Sequence, residues 1–285
     1  KKTPKVSYQK QSNKENESHY EMLKRLELSE NQHKILKNYC DKIKIDFIST
    51  PYDVDSAKFL LKLGVPFFKT ASADIVDIPL HQYISSTSKP CIISTGMSTL
   101  SEIQKVYEIY NSSDIAFLHC ISNYPCSDES LNLNVIRSLS NLFNVPVGFS
   151  DHSIGSLAAI SSVTLGARII EKHFTFNKKL KGNDHYHSMD YKDLLKFNKK
   201  FKKLESIIGY QKKDYLESEV ISRQNARRSL VAAININKNQ KILKKHLTWK
   251  RPGTGISVEN FDKILGKTAK VYIKKDTVLT NKLIK

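Results

Sequence analysis

Two histidines raise the question of chemistry. His152 closes the run VPVGFSDH (Val145–His152), and His173 stands near the end of RIIEKHF (Arg168–Phe174). Both runs are apolar and rich in β-branched or aromatic residues, and a small-residue segment of helical length, Ser153–Gly166, joins them. A strand, a crossover helix and a second parallel strand connect with a right-handed sense that sets both carboxyl ends on one rim. Two imidazoles side by side on a rim suit a divalent cation and leave positions for water and an oxygen-rich ligand. The same spacing also reads as a pair of hydrogen-bonded core histidines.

The elements that must position them repeat along the chain. DFIST (Asp46–Thr50), PFFKTAS (Pro66–Ser72), CIISTG (Cys91–Gly96) and IAFLHC (Ile115–Cys120) read as strands before the two histidine runs. Helical patterns lie between and after them, at Asp55–Leu63, Pro79–Ile84, Ser98–Tyr110, Leu131–Leu142, Ser156–Leu165 and Tyr191–Ile207. Ser29 with Gln32, and Ser98 or Thr99 with Glu102, read as helix caps. Near-continuous apolar strands imply two covered faces, and β–α alternation implies a parallel sheet. With helical stretches from Ser18 ahead of the first strand, the pattern predicts an α/β fold: a (β/α)8 TIM-type barrel lacking its first two strands. Function in such a barrel gathers at the carboxyl ends of the strands. There lie Thr50, Lys69, Ser72, Ser94, Cys120 to Tyr124, Ser150, His152 and His173. A lysine among hydroxyls is suited to a multiply charged anion, although any one hydroxyl alone reads as a strand-end cap. From about Arg223, short strand patterns and turn signals take over. The domains read as a partial barrel over 1–210, a linker over 211–222 and a small β-rich module over 223–285.

Bulk composition narrows the classes. The 285 residues, 40% hydrophobic and 26% charged, suit a globular chain with one large and one small domain. There is no run of ~18 apolar residues, so no membrane span is predicted. The polar, basic opening is expected to be neither a signal peptide nor a native start, but that of a chain lacking its beginning. Cys40, Cys91, Cys120 and Cys126 form no CxxC and read as buried free thiols of a reducing cytoplasm. A formal net charge of +18 would attract nucleic acid, an anionic membrane or an anionic substrate. Its lysines are spread along the whole chain, which also fits plain compositional bias. Without aromatic interleaving or a nucleic-acid module, neither nucleic acid nor membrane is expected as a partner.

The motifs together resemble the sialic acid synthase family, the phosphoenolpyruvate-dependent synthases of nonulosonic acids. The matching pieces are SYQK with NESHYEMLKRLEL, FISTPYD, FFKTASAD, KPCIISTGMSTLSEI, LHCISNYP, VPVGFSDHSIG, GARIIEKHFT, GNDH with SM, ARRSLVA and KRPGTGI. They span nearly the whole chain in the family's order. The resemblance implies a (β/α)8 barrel with a C-terminal antifreeze-like (SAF) domain, and an N-terminal part of the family's barrel absent here. It implies condensation of phosphoenolpyruvate with an N-acetylated amino sugar, N-acetylmannosamine or a related 6-deoxy diacetamido sugar, giving a nonulosonic acid and phosphate by C–O cleavage. Legionaminic or pseudaminic acid synthesis is the alternative within the family. A catalytically incomplete barrel fragment and a basic polyanion-binding protein are the alternatives outside it.

By that resemblance His152 and His173 ligate a divalent metal, Mn²⁺ or Mg²⁺, and act with Lys69 and Asp74 in catalysis. Thr50, Lys69, Ser72, Ser94, Ser122 and Ser150 hold phosphoenolpyruvate. Asn16, Asp74, Tyr124, Asp184 and Arg251 bind the sugar. Arg251, in the KRPGTGI loop, reaches from the SAF domain of one subunit into the barrel of its partner, which implies a homodimer; a basic surface loop is the plainer reading. Its glycines are expected to permit a tight turn. The sequence departs from the family where Ser72-Ala73-Asp74 stands for Ser-Gly-Glu, and where Ser122 replaces a frequent asparagine beside Asn123. His185 and His187 occupy positions of small residues in simpler members, and read either as further substrate contacts or as surface histidines.

Overall fold

The structure, a computed structural model, describes residues 18–110, 114–182 and 184–285. The chain divides into two compact units, Lys1–Gly209 and Tyr210–Lys285.

The first unit runs α1 (His19–Leu26), α2 (Glu30–Ile43), α3 (Val54–Leu63), β1 (Phe68–Thr70), α4 (Ile78–Ser86), β2 (Cys91–Ser94), α5 (Leu100–Tyr107), β3 (Ile115–Cys120), α6 (Val135–Leu142), β4 (Val147–Asp151), α7 (Leu157–Thr164), β5 (Ile170–Lys172) and α8 (Tyr191–Ile208). Helices begin where a short polar side chain takes the orphan amides of the first turn. Ser18 with Glu21, Ser29 with Gln32, and Thr99 with Glu102 close capping boxes at the heads of α1, α2 and α5. Gly64 ends α3 at φ 83°, a conformation that a side chain would strain.

The five strands pair in sequence order, all parallel. Segment 46–50, expected as a sixth strand, is not one. Among the described residues β1 pairs with β2 alone. Segment 46–50 turns its side chains to α2: Ser49 Oγ lies 3.3 Å from His33 Nε2, and the Phe47 ring meets His33 edge-on. An apolar run forms a strand only where a ladder partner exists.

In a flat sheet β1 and β5 would lie about 19 Å apart, four spacings of ~4.8 Å. Yet Lys69 Nζ on β1 stands 3.4 Å from a Glu171 carboxylate oxygen on β5. Two long side chains from opposite edges meet this way only across a curled sheet. The result is a parallel half-barrel, as the β–α rhythm predicts. Side chains alternate between its faces. Phe68, Cys91, Ile93, Ile115, Phe117, Val147 and Phe149 are buried together on the convex face in one hydrophobic cluster, and α6 and α7 pack against β4. The concave face carries Lys69, Ser94, Cys120, Ser150 and Glu171.

The second unit has its own core, centred on Leu230, Ile236, Ile242, Ile273 and Leu279. It runs α9 (Val220–Ala226), β6 (Ser229–Ala232), β7 (Leu247–Lys250) and α10 (Phe261–Ile264), with β6 and β7 antiparallel. Bridges such as Ile236 to Ile273 and Ala269 to Ile284 tie the intervening turns together. Within 211–222 lie a 3-10 turn, Glu217–Glu219, and the first residues of α9. No helix among the described residues is long and apolar enough to cross a membrane.

Candidate functional site

Lys69 is buried, and its ammonium donates to Thr70 O at 2.8 Å and to Ser94 Oγ at 2.7 Å. Glu171 faces the same ammonium and accepts from Ser150 Oγ at 2.7 Å. Strands β1, β2, β4 and β5 thus contribute Lys69, Ser94, Ser150 and Glu171 to one network on the concave face. Beside it, Ser72 Oγ accepts from the Gly96 amide at 3.0 Å and lies 3.7 Å from Cys120 Sγ. A Cβ on Gly96 would stand 2.4 Å from Ser122 Oγ and 2.8 Å from Ser72 Oγ. The absence of that carbon lets two hydroxyls, a thiol and a backbone amide converge.

The register of β4 and β5 pairs Ser150 with Glu171 and Asp151 with Lys172. One step further along, His152 and His173 meet with ring centroids 5.5 Å apart. On the other face, Asp151 and Lys172 form a buried ion pair at 2.8 Å, and Lys172 also donates to Ser153 O. His152 Nδ1 lies 2.7 Å from Ile121 O. A carbonyl can only accept, so Nδ1 carries the proton and the Nε2 lone pair is left for a ligand, 3.5 Å from Ser150 Oγ. Burial pushes the His152 imidazole below the ordinary histidine range, and His173 pushes the same way.

After β5 the chain loops out and returns alongside it. Met189 N donates to His173 O, Thr175 N donates to Met189 O, and Phe174 bridges Met189. Ser188 Oγ donates to Asp184 O, and Thr175 Oγ1 pairs with His185 Nδ1 at 2.8 Å. This stitching presses His187 against His173, with ring centroids 5.3 Å apart. His187 is 4% exposed, and neither ring nitrogen has a hydrogen-bond partner. Burial and the neighbouring His173 lower its basicity. Ligand-bearing atoms of His173, Asp184 and His187 all lie within 4.8 Å of one another. His152 stands outside that trio. The Tyr124 ring faces all three imidazoles, 4.1 Å from His152, 5.6 Å from His173 and 6.1 Å from His187. Orphaned imidazole nitrogens beside a carboxylate fit a divalent cation.

The remaining sequence-derived candidates are placed unevenly. Thr50 is half-buried at the end of the irregular 46–50 segment. Asp74 lies in the 3-10 turn Ser72–Val76 with Oδ2 buried and unpartnered. Burial pushes its carboxyl above the ordinary carboxylate range, Asp77 adding to the effect, while the Ala71 amide and Lys69 oppose it. Asn16 lies outside the described residues. Arg251 is exposed in the second unit, just beyond β7. The loop does turn at Gly253 and Thr254, but neither Gly253 nor Gly255 takes a positive φ, and what the glycines provide is space. A Cβ on Gly253 would come 2.6 Å from Arg227 Cβ, and one on Gly255 2.3 Å from Val278 Cγ1. Ser229 Oγ pins the loop by donating to Pro252 O and accepting from Gly255 N. All four cysteines are free, with Cys40 half-buried and the others buried. His119 is a core histidine, bonded to Leu131 O and stacked on Phe149.

Sequence reasoning missed Glu171, although it sits two residues before His173 on a strand and so shares its face. His187 was left undecided, because its burial depends on the return of the loop along β5. Gly96 was read only as part of STGM.

The parallel half-barrel, its polar concave face and the separate antiparallel unit define a (β/α)-barrel protein with an appended small β domain. The chain belongs to the NeuB family, whose model matches residues 1–213; the SAF domain model matches residues 227–285. The resemblance read from the motifs and the expected fold class are both borne out. An uncharacterized protein of Methanocaldococcus jannaschii is 42% identical over 264 residues, 92% of this chain and 78% of its own. The N,N'-diacetyllegionaminic acid synthase of Legionella pneumophila is 38% identical over 282 residues, 96% of this chain and 79% of its own. Among solved structures, the N-acetylneuraminic acid (sialic acid) synthetase of Leptospira borgpetersenii superposes with a TM-score of 0.67 at 33% identity, covering 70% of each chain.

Proposed function

We propose that this chain is a nonulosonic acid synthase that joins phosphoenolpyruvate to an N-acetylated amino sugar and releases phosphate. The observation that carries the reading is the Lys69–Ser94–Ser150–Glu171 network next to three imidazoles on one concave face, in a chain of the NeuB family. A buried ammonium with convergent hydroxyls, one of them bonded to the Gly96 amide, supports binding of a phosphorylated carboxylate. Glu171 holds Lys69 and Ser150 in place across the curled sheet and keeps the ammonium oriented before the anion arrives. Ser72, Ser122 and Gly96 N form the second wall of the same cradle, and Thr50 is assigned to its rim.

The imidazoles and Asp184 suit a divalent cation in the donor chemistry they offer. Nitrogen donors favour Mn²⁺ over Mg²⁺, which prefers an oxygen shell. Such an ion, when bound, polarises the aldehyde oxygen of the open-chain sugar. C3 of phosphoenolpyruvate then forms the new C–C bond, the aldehyde oxygen takes a proton, water adds at the cationic C2, and phosphate leaves with C–O cleavage. Asp74, whose carboxyl burial pushes above the ordinary carboxylate range, is assigned to pass a proton to or from the sugar. Tyr124 stacks over the imidazoles and lends the acceptor an apolar wall. The site is proposed to be completed by Arg251 from the SAF domain (223–285) of a second subunit, across a linker at 211–222.

The test is inorganic phosphate release from phosphoenolpyruvate and Mn²⁺ with N-acetylmannosamine or a 6-deoxy diacetamido mannose, beside a Lys69→Ala control. Release that requires one sugar and is lost in the control is expected, and names the acceptor. Binding of phosphoenolpyruvate without release by either sugar identifies an incomplete barrel. Retention on a polyanion resin without phosphoenolpyruvate binding identifies a basic binding protein.

A further inference from the structure

His187 is the one buried side chain among the described residues in which both ring nitrogens lack a partner, and it faces His173 rather than the core. A buried polar group without a hydrogen bond loses hydration for no return, so native chains rarely keep one unless a ligand fills the place. Nearby hydrogen-bonding groups are already engaged: Thr175 Oγ1 pairs with His185 Nδ1, Ser188 Oγ donates to Asp184 O, and the His173 carbonyl accepts from Met189 N. What remains open toward His187 is a ring nitrogen of His173 and the carboxylate of Asp184, all within 4.8 Å of one another.

We propose that His173, Asp184 and His187 together hold a divalent transition-metal ion, with His187 as a metal ligand in its own right. This deepens the proposed function and rests on its reading that a cation works at this rim. His173 lies between His152 and His187, so the three-donor set shares one imidazole with the His152–His173 pair inferred from sequence. Two imidazoles and a carboxylate from the protein hold an ion more tightly than two imidazoles alone, and the two nitrogen donors favour a transition metal over Mg²⁺. The assignment also engages Asp184 with the ion, so its part in sugar recognition becomes indirect. Sugar selection then falls to Tyr124, Asp74 and the groups around them.

Co²⁺ titration of the full chain tests this, read by calorimetry and by the visible d–d absorption of the bound ion. One ion per chain is expected. His187→Gln and Asp184→Asn should each weaken binding at least ~tenfold and alter the absorption band, since each removes or changes a donor to the metal. Asp184 is exposed, so its variant tests the site even if replacement at buried His187 disturbs folding. Unchanged affinity and spectrum in both variants, with binding lost in His152→Ala and His173→Ala, overturns the three-donor site and leaves the proposed function standing. Absence of Co²⁺ binding by the wild-type chain overturns both.

Discussion

Gly96 shows how much of the site depends on one missing carbon. Its φ is not in the left-handed region, so a side chain there meets neighbours rather than backbone strain, with Ser122 Oγ at 2.4 Å and Ser72 Oγ at 2.8 Å from the added Cβ. Gly96→Ala is expected to push those hydroxyls out of the cradle and weaken phosphoenolpyruvate binding about tenfold, near 1.4 kcal/mol. Co²⁺ binding should stay as it was. Adding Ser122→Ala removes the closest contact and should recover part of the loss by calorimetry; unchanged phosphoenolpyruvate affinity in Gly96→Ala would remove Gly96 from the site. Residues of this kind are hard to find by inspection. His152, His173, Lys69 and Ser94 were legible because strand ends announce themselves in a β–α chain. Glu171 needed the further step of reading back along one face from His173. His187 depended on a contact between a returning loop and β5, which no local pattern encodes.

The pairing of β4 with β5 is what brings the imidazoles together, and a one-residue slip would turn Glu171 and His173 to the convex face. Asp151 and Lys172 sit opposite each other in that register with side chains 0% and 8% exposed. Asp151 further accepts from Ser153 N and Oγ, at 2.8 and 2.7 Å. Removing one charge leaves the other buried without compensation, which costs about 3–5 kcal/mol, whereas removing both costs far less. Lys172→Met should therefore lower the urea midpoint of the first unit markedly, and Asp151→Asn with Lys172→Met should restore much of it. A Lys172→Met chain as stable as wild type would show that something else fixes the register. Neither residue stood out in the sequence, because a charged pair inside an apolar strand is visible only once the partner strand is known. Capping boxes, by contrast, are local, and Ser29 with Gln32 and Thr99 with Glu102 were legible as they stand. Segment 46–50 misled for the converse reason: it has a strand's composition without a strand's neighbour.

The chain carries 46 Lys and Arg against 28 Asp and Glu, yet the concave face draws on one buried lysine, Lys69, balanced by Glu171. On the proposed function, the excess charge bears on how the anionic substrate approaches rather than on how it is held. The shift in composition near Arg223 falls inside the second unit, Tyr210–Lys285, which has a core of its own. What composition could not give is where Arg251 acts, since an exposed arginine on a pinned loop is compatible with many roles. The proposed sharing of a site between two subunits makes a sharp prediction. Lys69→Ala spoils a barrel and Arg251→Ala spoils the loop offered to a partner, so each variant alone should be nearly silent at low sugar concentration. In a hybrid of the two, one site inherits both defects and the other neither. Random reassortment after mixing makes half the dimers hybrids, so about a quarter of wild-type phosphate release should return. Recovery near that level locates Arg251 in the partner's site. Mixtures as inactive as their components, with both variants folded and reassorted, would place the arginine's action within its own chain, and an Arg251→Ala chain with unaltered sugar KM would remove it from the site altogether.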